Sequence, residues 1–136
     1  MIDSGPLVAA LNSRDNHHEA CTRLLRTHPG PLLVPATVVT EVCQLVEKRQ
    51  GSKAEAAFLQ SFETGLTLVD LTDRDLMRMS ALVEAYASLP LGAVDASVIA
   101  IAERLGVYEA ATLDRRHFTV VRPRHTGSLT LLPERL

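Results

Sequence analysis

Four acidic residues in four separate parts of the chain stand where solubility alone does not explain a carboxylate: Asp3, Glu41, Asp95 and Asp114. Asp95 is followed at i+3, i+4 and i+7 by Val98, Ile99 and Ala102, one apolar face of a helix. Its carboxylate therefore lies on the stripe that should be buried, where it needs hydrogen bonds, a cation or a proton. The alternative is a helix-start aspartate serving the backbone N–H groups and the dipole. Glu41 lies beside the stripe Val39, Val42, Cys43 and Val46, flanked by Val38 and Leu45. Its alternative is a boundary glutamate reaching water. Asp3 and Asp114 each follow directly on a short apolar run that reads as a strand.

If those two strands are neighbours, their backbones lie about 4.8 Å apart. Two charges roughly 5 Å apart repel by about 3 kcal/mol at an effective dielectric near 20. Asp95 adds a third repelling group. A proton or arginines would relieve this, and a divalent cation relieves it best. Oxygen-only ligands without clustered Cys or His favour Mg²⁺ or Mn²⁺ over Zn²⁺. Such ions keep several waters, an arrangement suited to metal-assisted phosphodiester hydrolysis. Directly after Asp114, the run Arg115 to His125 carries Arg115, Arg116, His117, Arg122, Arg124 and His125 and no acid. That stretch suits phosphates, a solvated surface or an acidic partner equally well.

The elements that must position these groups alternate. Met1–Ile2 reads as a strand end, Pro6 opens a short helix, and Asn16 with Glu19 resembles a capping box for a second. Leu32–Val34 is a brief strand, and a helix is expected from Ala36 to Lys48. Ser52 with Glu55 is expected to cap the next helix, which carries Phe58, Leu59 and Phe62. Leu66–Leu71 reads as a strand; Thr72 caps a helix with Leu76, Met79, Val83 and Tyr86 on one face. Asp70, Asp73 and Asp75 there are assigned to capping. The helix of Asp95 ends at Gly106, Glu109–Leu113 is a strand, and Leu129–Leu132 a last one. Short strands alternating with helices predict an α/β fold with a parallel sheet and helices on both faces. Ligands in such sheets bind outside the carboxyl ends of the strands, where Asp3 and Asp114 stand.

At 136 residues and 46% hydrophobic content, a single ordered domain over residues 1–136 is expected. A formal charge of −2 gives no global signature of a nucleic-acid binder. Apolar runs are too short to cross a membrane, and acidic Asp3 sits where a signal peptide would be basic, so a cytoplasmic protein is expected. The strand at Met1–Ile2 is short for a core element, and natural residues upstream of it are expected. Cys21 and Cys43 lack metal-ligand spacing and read as small core residues; the adjacent His17 and His18 point different ways on their helix and carry no metal assignment.

The segments Ile2-Asp3-Ser4-Gly5-Pro6-Leu7-Val8, Val39-Thr40-Glu41-Val42, Val94-Asp95-Ala96-Ser97 and Thr112-Leu113-Asp114-Arg115-Arg116-His117-Phe118 together resemble PIN-domain ribonucleases, and within them the small VapC toxins of VapBC pairs. The resemblance extends over essentially the whole chain. It implies a PIN-like α/β domain with a parallel sheet of about five strands. Asp3 and Asp95 would be the principal metal ligands, Asp114 would complete the acidic pocket, and Glu41 would hold the ion or its waters. It further implies an Mg²⁺- or Mn²⁺-dependent endoribonuclease that leaves a 5′-phosphate. A VapB-type antitoxin would neutralise it, and it would form a homodimer. Ser4 would hydrogen-bond an acid or phosphate, or cap the following helix; Arg115 and Arg116 are candidate phosphate contacts. The competing readings are an RNA-processing nuclease that is no toxin, a receiver-like signalling module, and a non-catalytic acidic docking domain. The receiver class needs a lysine near the acids, and the only lysines are Lys48 and Lys53.

Overall fold

A computed structural model describes all 136 residues. Four short strands form two parallel pairs. β1 (Leu32–Pro35) runs beside β2 (Leu66–Val69) with Leu32 opposite Leu66, and β3 (Glu109–Ala111) beside β4 (Thr130–Leu132) with Glu109 opposite Thr130. Met1–Asp3 fills the gap between the pairs. Ile2 bridges Ala111 in parallel, the Ala111 N–H donates to Met1 O at 2.8 Å, and the Asp3 N–H donates to Ala111 O at 2.9 Å. On the other edge the Ile2 N–H donates to Leu33 O at 2.8 Å. The order across the layer is therefore β2, β1, Met1–Asp3, β3, β4. In place of about five strands there are four, plus a segment too short for more than one ladder bridge. The short opening segment is nonetheless the middle of the layer, and Met1 and Ile2 are buried.

Chain order runs outward on one side of Met1–Asp3 and then restarts on the other, so Asp3 ends the segment at the point where connection direction reverses. Seven helices link these pieces: α1 (Ser4–Ala10), α2 (His18–Thr27), α3 (Ala36–Gln50), α4 (Ser52–Gln60), α5 (Asp73–Ala85), α6 (Ala93–Leu105) and α7 (Arg116–Val120). α1 packs on α2 and α3, α3 on α4, and α5 on α6. By the right-handed crossover rule for parallel strands, α1–α4 belong on one face of the layer and α5–α6 on the other. Val34 at the end of β1 and Val38, Val42 and Val46 of α3 are fully buried, a four-residue spacing that makes one stripe. The expected members Val39 and Cys43 flank that stripe and are only partly buried. Cys21 is fully buried, and both cysteines are free thiols. No helix is long and apolar enough to cross a membrane.

Three local expectations fail. α5 turns Asp75, Met79 and Leu82 inward and leaves Leu76 47% and Val83 37% exposed. What rotates it is Asp75, which completes a capping box with Thr72 and pairs with Arg104 of α6 at 3.0 Å. Burial works to raise the Asp75 carboxyl, but its bonds to Arg104 and Thr72 outweigh this and hold it below its ordinary range. At α2 no Asn16–Glu19 box forms; the helix starts at His18, and Asp15 Oδ1 accepts the His17 N–H at 2.8 Å. At α4 the cap is Gly51, at φ +90°, and neither Ser52 nor Glu55 caps it. Gly106 does close α6 in the left-handed conformation, at φ +66°.

The inward face of α5 makes a direct test. Leu82→Ala should cost about 3 kcal/mol in urea unfolding, as a fully buried leucine does. Leu76→Ala should cost less than about 0.5 kcal/mol, as surface changes do. Equal costs would place the core face where sequence periodicity put it.

Candidate active site

Asp3 stands before α1 yet makes no side-chain cap to it. Its carboxylate is 7% exposed and accepts the Thr112 hydroxyl at 3.0 Å. Thr112, fully buried just past β3, also has its hydroxyl 3.1 Å from the Asp114 carbonyl oxygen. One side chain thus ties the end of Met1–Asp3 to the turn that carries Asp114. Gly5 permits that closeness: a Cβ there would stand 3.1 Å from the Leu113 side chain. Asp114 itself is exposed.

Asp95 lies in the first turn of α6, behind Gly92, and no side-chain capping bond forms there. Its Oδ2 instead stands 2.5 Å from Nδ1 of His117 on α7. The helix-cap alternative for Asp95 therefore gives way to a cross-element contact. Glu41, half-buried on α3, accepts a hydrogen bond from the Ser4 hydroxyl of α1. Thr37 Oγ1 and Ser97 Oγ, 2.6 Å apart, pin the start of α3 against the start of α6.

These contacts bring the acids within reach of one another's charge. Burial is the largest cause pushing the Asp3 carboxyl up to about 6; the Ser4 N–H lowers it, Asp95 raises it, Thr112 lowers it and Glu41 raises it. Asp95 is also raised, first by burial, against His117, with Asp114 and Glu41 adding to the rise. Asp3, Glu41, Asp95 and Asp114 thus share one electrostatic environment. The two arginines after Asp114 differ. Arg115 turns its guanidinium onto main-chain carbonyls, those of Thr112 and Pro133. Arg116 is exposed and reaches one carbonyl, Leu89 O, at 3.3 Å.

Sequence reasoning singled out the four acids and Ser4 but gave no role to Thr112, His117, Thr37 or Ser97. A threonine closing a strand and a histidine in a basic run violate no burial or charge pattern. His117 carried one weak signal, its place three residues after Asp114.

The donor chemistry fits a hard divalent cation: carboxylate oxygens only, in excess of neutralising charge, with Asp3 driven toward protonation when no cation is near. As the side chains stand, no three of them form a ready cage. Asp95 is engaged by His117 and Glu41 by Ser4.

The PIN-domain family model matches residues 1–122. The chain belongs to the PIN-domain family. Among PIN proteins it is 30% identical over 134 residues to Ribonuclease VapC26 of Mycobacterium tuberculosis, covering 98% of this chain and 99% of that one. This makes it a VapC-type member. The crystal structure of M. tuberculosis VapC20, a toxin that cleaves the sarcin–ricin loop, superposes with a TM-score of 0.78. That likeness covers 84% of this chain and 88% of VapC20 at 20% identity, and it is a likeness of fold.

The Asp3 value gives a signed prediction. Its carboxyl binds a proton more tightly folded, about 6, than at its ordinary 3.8, so the ionised form opposes folding as pH rises through that window. In EDTA, Asp3→Asn should be more stable than wild type by roughly 2–3 kcal/mol at about pH 7.5, and the gain should vanish near pH 4. Urea unfolding at both pH values checks this; a gain independent of pH would contradict it.

Proposed function

We propose that this VapC-type PIN protein is an Mg²⁺- or Mn²⁺-dependent endoribonuclease toxin, with Asp3, Glu41, Asp95 and Asp114 as its catalytic acids. The observation that carries this is the buried Asp3 carboxylate held beside Asp95 and Glu41, with no lysine or arginine paired to any of the three and only His117 against Asp95. Asp3 and Asp95 are the main ligands in this account, with Asp114 and Glu41 completing the set. The bound ion would supply Lewis acidity toward a phosphoryl oxygen and acidify a water for in-line attack.

The chain's own groups orient the ligands. Thr112 fixes which oxygen of Asp3 is free, since its hydroxyl occupies Oδ2. His117 does the same for Asp95 through Oδ2, and Ser4 holds Glu41 through Oε1. Such outer partners set ligand direction, and their loss typically costs 10–100-fold in metal affinity or activity. Arg116, exposed and two residues after Asp114, is the phosphate contact in this proposal. Arg115, committed to two carbonyls, braces the turn after Asp114.

The partners follow from the same chemistry. RNA is the substrate, its phosphates meeting the acids through the cation. A VapB-type antitoxin would silence the enzyme by placing an arginine on the carboxylates in a charge-assisted bidentate pair. A homodimer is the assembly we assign. A second reading, an RNA-processing nuclease without a toxin's role, keeps the site unchanged and differs in the absence of an antitoxin gene just upstream.

Purified antitoxin-free protein should cleave structured RNA with Mg²⁺ or Mn²⁺ and lose this in EDTA. Asp95→Asn should lower the rate by at least about a hundredfold, and His117→Ala by about tenfold, as loss of an outer partner does. Cleavage indifferent to EDTA and to Asp95→Asn would sink the proposal.

A further inference from the structure

Two turns and more down α6 from Asp95, α5, α6 and the chain after α7 enclose a cavity of about 410 Å³ whose lining is almost wholly charged. Four arginines, Arg74, Arg78, Arg104 and Arg124, face two acids, Asp75 and Glu103. Each acid is already committed. Glu103 is gripped by the Arg78 fork at 2.8 and 2.9 Å, and Asp75 by Arg104. Arg74 and Arg124 are exposed and form no ion pair, so the cavity keeps a surplus of two positive charges. Stability does not ask for that surplus. It suits an anion.

The kind of anion is marked by the rim. His125, in the lining, donates its Nε2–H to Val107 O at 2.7 Å, and its ring lies tilted against Tyr108 with centroids 5.2 Å apart. Tyr108 is 57% exposed, a large aromatic ring open to solvent that reaches the cavity through its contact with His125. Groove arginines beside aromatic platforms are how proteins hold single-stranded nucleic acid: cations follow the backbone while bases stack. An acidic peptide would use the arginines and leave the ring idle. The eight-residue step from Asp95 to Glu103 puts the cavity about 12 Å along α6 from Asp95, within the span of a few nucleotides.

We infer that this arginine-lined cavity with Tyr108 is a docking site for single-stranded RNA, holding phosphates a few nucleotides from the bond cut at the acids. It rests on the ribonuclease proposal for the identity of its ligand. The cavity binds backbone and base and takes no part in the chemistry. Its effect is on affinity for substrates long enough to reach both places.

The test uses whole protein in EDTA and a fluorescent oligouridine, with anisotropy read over a series of salt concentrations. Arg74→Ala/Arg124→Ala should weaken binding at least about tenfold and flatten the log K against log salt slope by about 1.4, the loss of two single-strand phosphate contacts. Tyr108→Ala should weaken binding about tenfold, within the range of one stacked base, with the salt slope unchanged. With divalent ion present, cleavage of long RNA should slow through KM while a substrate too short to reach the cavity is cut as by wild type. Unchanged RNA binding in the double variant would overturn the inference. So would equal loss of binding to oligoglutamate with no effect of Tyr108→Ala, which would make the cavity a protein-docking site. The two proposals fail separately: RNA binding that follows these variants without any cleavage defeats the nuclease proposal alone, and cleavage by a protein whose RNA binding ignores them defeats the docking site alone.

Discussion

Everything in this fold answers to one awkward demand: the carboxylate of Asp3 must be buried at the end of the middle segment of the sheet. Two hydrogen-bonded edges hold Met1–Asp3 in place, Ile2 to Leu33 on one side and Asp3 to Ala111 on the other. The carboxylate then has nowhere to go but the crevice where chain direction reverses. There Thr112 and the Ser4 N–H offset part of the desolvation, and the neighbouring acids undo part of that relief. A stable resting protein has no use for this arrangement. A cation site does, because the same repulsion that destabilises the metal-free state becomes binding energy when an ion arrives.

The rest of the structure can be seen as support for that crevice. Gly5 lets the start of α1 approach Leu113, bringing the Asp3 and Asp114 segments together. The Thr37–Ser97 contact locks the starts of α3 and α6, which carry Glu41 and Asp95. Further down, Asp75 with Arg104 and Glu103 with Arg78 join α5, α6 and the chain after α7. Those pairs fix the position of α6 and hence of Asp95. The same pairs leave two arginines unmatched at the cavity, so one set of ion pairs both holds the scaffold and shapes a second charged surface.

Much of this was legible in the residues, and the reason is specific. Asp95 and Glu41 sit on or beside apolar helical stripes, and such rule-breaking polar residues are visible in a bare sequence; Asp3 and Asp114 stood out by following short apolar strands directly. The parallel α/β class followed from the alternation of elements. What stayed hidden obeyed the rules. Thr112 looks like any strand-end threonine, and His117 like one more base in a basic run. The inward face of α5 was misjudged because periodicity counts Leu76 and Val83 as core, whereas Asp75 paired with Arg104 is the group that faces α6. The Asn16 and Ser52 caps failed since Asp15 and Gly51 satisfy those helix starts by other means. The fifth sheet position was harder still, resting on three residues and a single bridge.

The central claim is that the acids are kept in mutual repulsion for a cation. Calorimetric titration of Mn²⁺ into the metal-free protein tests it most directly, in buffers of different ionisation enthalpy. A carboxyl raised to about 6 must give up its proton when the ion binds. Wild type should therefore release about three-quarters of a proton per ion near pH 5.5 and almost none near pH 7.5, and Asp3→Asn should bind more weakly with no such release. Binding of equal strength in both proteins, or proton release that does not change with pH, would contradict the account.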